Sequence, residues 1–341
     1  MFNYRLYILF LLILIAFLVD IAFGSIHIPL LQILDVVSGK QIENDSWSFI
    51  IQQIRLPKAF TAIIAGSGLA VSGLQMQTLF RNPLAGPSVL GITAGASLGV
   101  AIVMFSAGTI TSLYTIKELG ISGSWLIILA SSAGAALVMF LVLLISGAVK
   151  DHIVMLIIGV MLGNITLSLV SIWQYYSAPE LIKDYLMWTF GSLGGVNGVQ
   201  LMILTAVVFF GLILTFIASK SLDALLLGDR YAMSLGLSVK SARILIISST
   251  SLLAGGITAF CGPIGFVGIA VPHLARAIFQ TSSHRVLIPA CCLIGALLML
   301  ICDIFSQLPG SQSVLPINII TALIGSPVVI WVIARRQKRR D

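Results

Sequence analysis

Residues 55–99 read RLPKAFTAIIAGSGLAVSGLQMQTLFRNPLAGPSVLGITAGASLG. Two apolar runs, about 57–79 and 89–107, flank the hexapeptide Asn82-Pro83-Leu84-Ala85-Gly86-Pro87. Each proline drives the residue before it out of the helical region, so the hexapeptide is a rigid turn between two helices. Each run is close to the length, about 20 residues, that a bilayer-spanning helix needs. Gly91, Gly95 and Gly99 recur at every fourth position, and Gly66 and Ala70 keep the same spacing. Small residues at that spacing strip bulk from one helix face and let a neighbouring backbone approach closely. The stretch is a helical hairpin built for a membrane.

The rest of the chain has the same character. Its 341 residues are 58% hydrophobic and 9% charged, where a soluble domain is about 25% charged. The mean hydropathy is +1.09. A secreted disulfide scaffold, a disordered chain and a soluble enzyme are excluded. The net charge of +7 does not point to nucleic acid, because Arg335, Arg336, Lys338, Arg339 and Arg340 crowd behind the last apolar run. A basic tail after a final span is a cytoplasmic anchor.

Apolar runs predict ten spans, at about 6–24, 57–79, 89–107, 124–147, 153–175, 199–218, 242–260, 263–281, 286–305 and 316–334. The expectation is an all-α polytopic membrane protein, one transmembrane domain over 1–341. The first run also fits a cleaved leader loosely, with Arg5 before it and Ala22-Phe23-Gly24 after it, but at this length a span is the better reading. With ten spans and the N-terminus inside, 14 of the 19 Lys and Arg residues lie inside and 5 (Lys40, Arg55, Lys58, Lys117, Lys183) outside. That asymmetry obeys the positive-inside rule and places both termini in the cytoplasm.

One inner connection, 219–241, is longer than a turn needs. Leu222, Leu225 and Leu226 fall at helical spacing, and Gly228 and Gly236 break the pattern, so two short surface helices are expected. Residues 262–276, GPIGFVGIAVPHLAR, predict broken backbone, which membrane depth tolerates only when buried in protein or lining a cavity. The four cysteines form no CxxC pair and the four histidines have no ligand spacing, so neither metal nor cofactor is expected. No GxxxxGK[ST] phosphate loop occurs. No ionisable residue holds a predicted mid-span position, which weighs against a self-powered carrier and toward a path driven by another subunit. An ion-coupled secondary transporter stays open as an alternative.

RLPK–NPLAGP–GITAGASLG, LGDRYAMSLGLSVKSAR, GPIGFVGIAVPHLAR and LPINIITALIGSPVVIWVIARR, in this order, resemble the FecCD family of permeases of bacterial ABC importers. The resemblance runs from about residue 50 to the C-terminus and implies a ten-span permease in the inner membrane, paired as a homodimer or with a similar permease. The implied partners are two cytoplasmic ABC ATPase subunits and a periplasmic substrate-binding protein. The implied cargo is an iron–siderophore complex or haem, with cobalamin as the alternative. Carried residue by residue, the resemblance assigns Gly228, Asp229, Arg230, Ala232, Leu235 and Gly236, within a coupling segment at about 221–236, to the ATPase contact. It assigns Arg55 and Lys58 to docking of the binding protein, and Asp151 and His152 to a cytoplasmic gate. Gln307 and Val314 stand where the family often has a basic residue and a glutamate, which puts a third docking salt bridge in doubt.

Overall fold

Every residue from Gly68 to Leu79 is buried, and the helix that carries them is the axis of the molecule. The computed structural model describes residues 2–24, 26, 28–38, 45–110, 121–146, 149, 151–307 and 314–337. Lys40, Lys117, Lys150 and 338–341 fall outside the described residues, as do the side chains of His152, Arg335 and Arg336.

In chain order the helices are α1 (Phe2–Ala22), α2 (Leu30–Val37), α3 (Asp45–Phe49), α4 (Leu56–Leu79), α5 (Ile92–Ile110), α6 (Ile121–Ser146), α7 (His152–Tyr176), α8 (Pro179–Thr189), α9 (Gly198–Ile217), α10 (Ser219–Leu226), α11 (Asp229–Ser234), α12 (Val239–Cys261), α13 (Val267–Phe279), α14 (His284–Ser306) and α15 (Ile317–Gln337). Among the described residues, seven helical runs are long and apolar enough to cross a bilayer. Three shorter apolar helices, Ile92–Ser106, Val267–Phe279 and Ile317–Ile330, fill the remaining expected places. The all-α membrane bundle is therefore present.

Two boundaries differ from the sequence reading. The second span does not start at 57, because α3 runs through a π-helical turn, Ile50–Arg55, directly into α4. The turn sits just before Pro57, whose missing N–H and crowding ring forbid the ordinary α-helical bond there. The eighth span is also shorter than 263–281. α13 has 13 residues, about 20 Å at 1.5 Å per residue, less than the hydrocarbon core of about 30 Å. Broken backbone at 262–266 precedes it. Gly262 (φ +72°) and Phe266 (φ +65°) both take left-handed values, strained for phenylalanine. The break is satisfied internally: Ser192 N donates to Cys261 O at 2.8 Å, and Gly265 N donates to Asn318 Oδ1 at 3.0 Å.

The small-residue stripe performs its expected packing task. A Cβ on Gly73 would land on the backbone of Gly268 in α13, and one on Gly66 on the carbonyl of Gly295 in α14. A Cβ on Gly99 would strike Ala130 O in α6, and one on Gly95 would strike Gly134 O. Glycine is required where backbones touch in this way. Between the two helices of the hairpin, Asn82 Oδ1 accepts from Leu84 N at 3.0 Å and closes the turn.

Candidate functional site

The end of the bundle where α4 finishes carries the interhelical segment singled out in the sequence. α10 and α11 are the two short helices expected there, broken at Gly228 (φ +111°), a conformation only glycine takes easily. Leu222, Leu225 and Ala232 are buried and anchor both helices to the bundle. Arg230 and Gly236 are exposed. Leu227, Tyr231, Met233 and Leu235 are also exposed, each by more than half of its surface. The segment between these spans thus presents an exposed apolar face with a cation beside it.

The six sequence-assigned residues do not all join that surface. Arg230 and Leu235 face out, whereas Ala232 is fully buried and Asp229 turns inward. One Asp229 carboxylate oxygen pairs with Arg81, just past α4, and the other takes Arg243 Nη2 of α12 at 2.8 Å. Arg243, 5% exposed, also donates from Nη1 to Val149 O at 3.1 Å, in the connection that leads to α7. Asp229 therefore clamps α11 to the end of α4, to α12 and to the α6–α7 connection. Arg81 and Arg243 were missed in the sequence because they stand 148 and 14 residues from Asp229. Arg81 adopts φ +47°, turning the chain out of α4 toward the carboxylate.

Asp151 caps α7, its Oδ1 accepting from Ile153 N at 2.7 Å. This local role satisfies one of the unpaired amides of a helix start. The side chain of His152 lies outside the described residues, so the expected gate pair is seen from one partner only.

The opposite end holds Arg55 and Lys58. Arg55 is 7% exposed. It donates to the carbonyls of Ile21 (2.7 Å) and Ala22 (3.1 Å), and to Ile26 O. A guanidinium on the last carbonyls of a helix satisfies groups that no further turn can reach. Lys58 Nζ pairs with Asp303 Oδ1 at 2.9 Å, the two side chains being 14% and 2% exposed. Gln307 Nε2 reaches both Asp20 Oδ1 (3.2 Å) and Asp303 Oδ2 (3.3 Å). Gln307 also forms an isolated β-bridge with Val314. The two positions noted as departures from the family pattern are thus direct neighbours, and the neutral amide joins two buried carboxyl groups. A small cavity of about 160 Å³ opens beside Lys58 and Asp303.

Between the two ends, a cavity of about 240 Å³ lies against the broken backbone, lined by Pro87, Ser88, Thr93, Thr258, Gly265 and Asn318 among others. His273 Nε2 is hydrogen-bonded to Pro83 O at 2.8 Å, which ties α13 to the hairpin turn. The cavity is smaller than the roughly 300–1,000 Å³ of ordinary small-molecule pockets. No group of three or more His, Cys, Asp or Glu residues that could hold a metal ion occurs among the described residues.

The family model of the FecCD transport family matches residues 11–335. A vitamin B12 import system permease protein BtuC from Klebsiella pneumoniae subsp. pneumoniae is 34% identical over 330 residues, covering 96% of this chain and 93% of the relative. The protein of the same name from Salmonella paratyphi A is 32% identical over 318 residues, covering 91% and 93%. A solved structure of an ABC transporter of metal-chelate type, in an inward-facing conformation, superposes with a TM-score of 0.83 at 28% identity, covering 98% of this chain and 99% of its own.

Proposed function

Because the chain belongs to the FecCD transport family, we propose that it is the membrane permease of a binding-protein-dependent ABC importer for a large metal chelate, with cobalamin as the first reading of the cargo. The observation that carries this is the exposed apolar face of α10–α11, beside Arg230 and clamped from behind by Asp229, on a bundle without a phosphate-binding loop. Separate ATPase subunits grip that face, and their closure moves both helices. The positive-inside count supports a cytoplasmic position for this end of the bundle in the inner membrane.

The route for cargo runs between two permease copies. Within one chain the cavity at the broken backbone is about 240 Å³ and an almost wholly apolar one between α6, α9 and α12 about 520 Å³, neither beyond the size of an ordinary small-molecule pocket and both too small for a large chelate. α7 supports the pairing. Asn164, near its middle, is exposed in the single chain, and a polar residue at that depth faces a cavity or a second protein rather than lipid. Closure of the path at the cytoplasmic side is assigned to the start of α7, at Asp151 and His152.

Docking of the periplasmic binding protein is assigned to the opposite end. Arg55 serves it by holding the rim where α1 ends, and Lys58, 14% exposed, by sharing its three-donor ammonium between Asp303 and an acidic residue of the binding protein. The second reading of the cargo, an iron–siderophore complex or haem, is favoured by the metal-chelate class of the structural neighbour.

Uptake of labelled cobalamin and of labelled ferric chelate into proteoliposomes holding the chain with its ATPase and binding protein decides between them. Uptake of cobalamin alone is expected. Uptake of the ferric chelate alone assigns the second reading, and transport of neither chelate by an assembled, ATP-hydrolysing complex overturns both.

A further inference from the structure

The cytoplasmic end of α4 is wired to its neighbours by three consecutive layers of buried polar groups. Gln75, fully buried, donates from Nε2 to Thr215 Oγ1 of α9 at 2.5 Å. Its Oε1 accepts from the hydroxyls of Ser249 (3.0 Å) and Thr250 of α12. Gln77 Nε2 donates to Ile269 O of α13 at 3.1 Å, and its Oε1 accepts from Arg276 Nη1 at 2.7 Å. Thr78 Oγ1 lies 2.8 Å from His284 Nε2 at the start of α14. Unlike the first two layers, the third leaves the bundle. His284 Nδ1 and its backbone N both meet Asp223 Oδ1, at 2.6 and 2.8 Å. Asp223 lies in α10, inside the coupling segment.

His284 is 1% exposed. A carboxylate can only accept, so Nδ1 donates to Asp223, and Nε2 is left toward the Thr78 hydroxyl. The chain is stiff at His284, because an imidazole that lets go stays buried with an unpaired nitrogen, whereas Asp223 is 38% exposed at the surface end and the Thr78 hydroxyl also reaches Leu74 O at 2.9 Å. Asp229 holds α11 at its own site, so the two short helices are tethered separately.

We propose that Asp223, acting through His284 on Thr78, is a positioning residue that carries the displacement of α10 into α4. The ends of α4, α9, α12, α13 and α14 then move with the coupling segment as one body. The proposal rests on the importer reading above and adds the internal path by which the bundle feels the ATPase.

The test uses the full complex in proteoliposomes and reads cargo moved per ATP hydrolysed. Asp223→Ala is expected to lower that ratio about tenfold, within the range that single changes along a coupling path produce. ATP hydrolysis itself is expected to continue within about twofold of wild type, as Arg230 and the exposed face are untouched. Asp223→Asn, which keeps the accepting oxygen, is expected to restore most of the ratio. Thr78→Val interrupts the far end and leaves Asp223 and His284 paired, and it too is expected to lower the ratio. A wild-type ratio in both Asp223→Ala and Thr78→Val overturns the proposal. So does an equal fall of hydrolysis and uptake, which marks plain loss of ATPase binding. Failure of the wild-type complex to couple hydrolysis to uptake overturns the importer reading instead.

Discussion

Arg230→Glu is expected to cut ATP-driven uptake about tenfold or more, and to leave the unfolding temperature of the isolated chain unchanged. Asp229→Ala, one residue away, is expected to lower both. The residues differ in what they touch. Arg230 is exposed on the face offered to the ATPase, so reversing its charge alters an encounter between proteins and little inside the bundle. Asp229 lies between Arg81 and Arg243, and the Arg243 side chain is 6% exposed. Removing the carboxylate leaves a buried guanidinium with less than it needs. Breaking a fully buried ion pair costs about 3–5 kcal/mol. Asp229 is 29% exposed and Arg243 keeps Val149 O, so about 2 kcal/mol is the expected cost here. Thermal unfolding of the isolated permease separates the two variants before any partner is added. Full uptake by Arg230→Glu would remove the contact from this face, and an unshifted Asp229→Ala would show that the clamp contributes nothing.

Lys58→Met is expected to be the most damaging single change at the opposite end. It leaves Asp303 buried at 2% exposure beside Asp20 with its cation gone. The expected loss is about 3–5 kcal/mol, the usual consequence of removing one partner from a buried pair. Lys58→Met with Asp303→Asn is expected to recover most of it, because Gln307 still has acceptors and position 303 no longer carries a charge. Unfolding in detergent measures both. A single variant as stable as wild type would mean that the pair does not hold this end together. The double variant also isolates docking, since it folds and lacks the ammonium. Its affinity for the binding protein is expected to fall, most clearly at low salt.

The fold was legible because apolar runs and small-residue spacing are local signals. The Gly91, Gly95, Gly99 stripe can be read as a packing face without its partners; α6 proved to meet Gly95 and Gly99, and α7 to meet Gly91. Gly228 and Gly236 announced the breaks around α11, and the GPIGF sequence announced the broken entry to α13. The start of α4 was read to within a residue, but its continuation back through the π-helical turn into α3 was not, because Pro57 in isolation reads as a helix start. The polar sites were only half visible. Asp229 and Arg230 look alike in sequence, and only the fold shows that one points in and the other out. His284 read as one of four scattered histidines, since Asp223 stands 61 residues away and Thr78 stands 206. A single chain's sequence carries no mark of such distant pairings. Arg55 reads as a rim cation from its place before a span, yet the carbonyls it holds belong to the end of α1, more than 25 residues upstream.

The claim on which the account stands is that this bundle shapes a route and borrows its power. Accumulation of labelled chelate against a gradient, measured in proteoliposomes with and without the ATPase subunits, tests it most directly. Accumulation is expected only when the ATPase, ATP and the binding protein are all present. Uphill uptake by the purified chain alone, driven by a proton or sodium gradient, would contradict it.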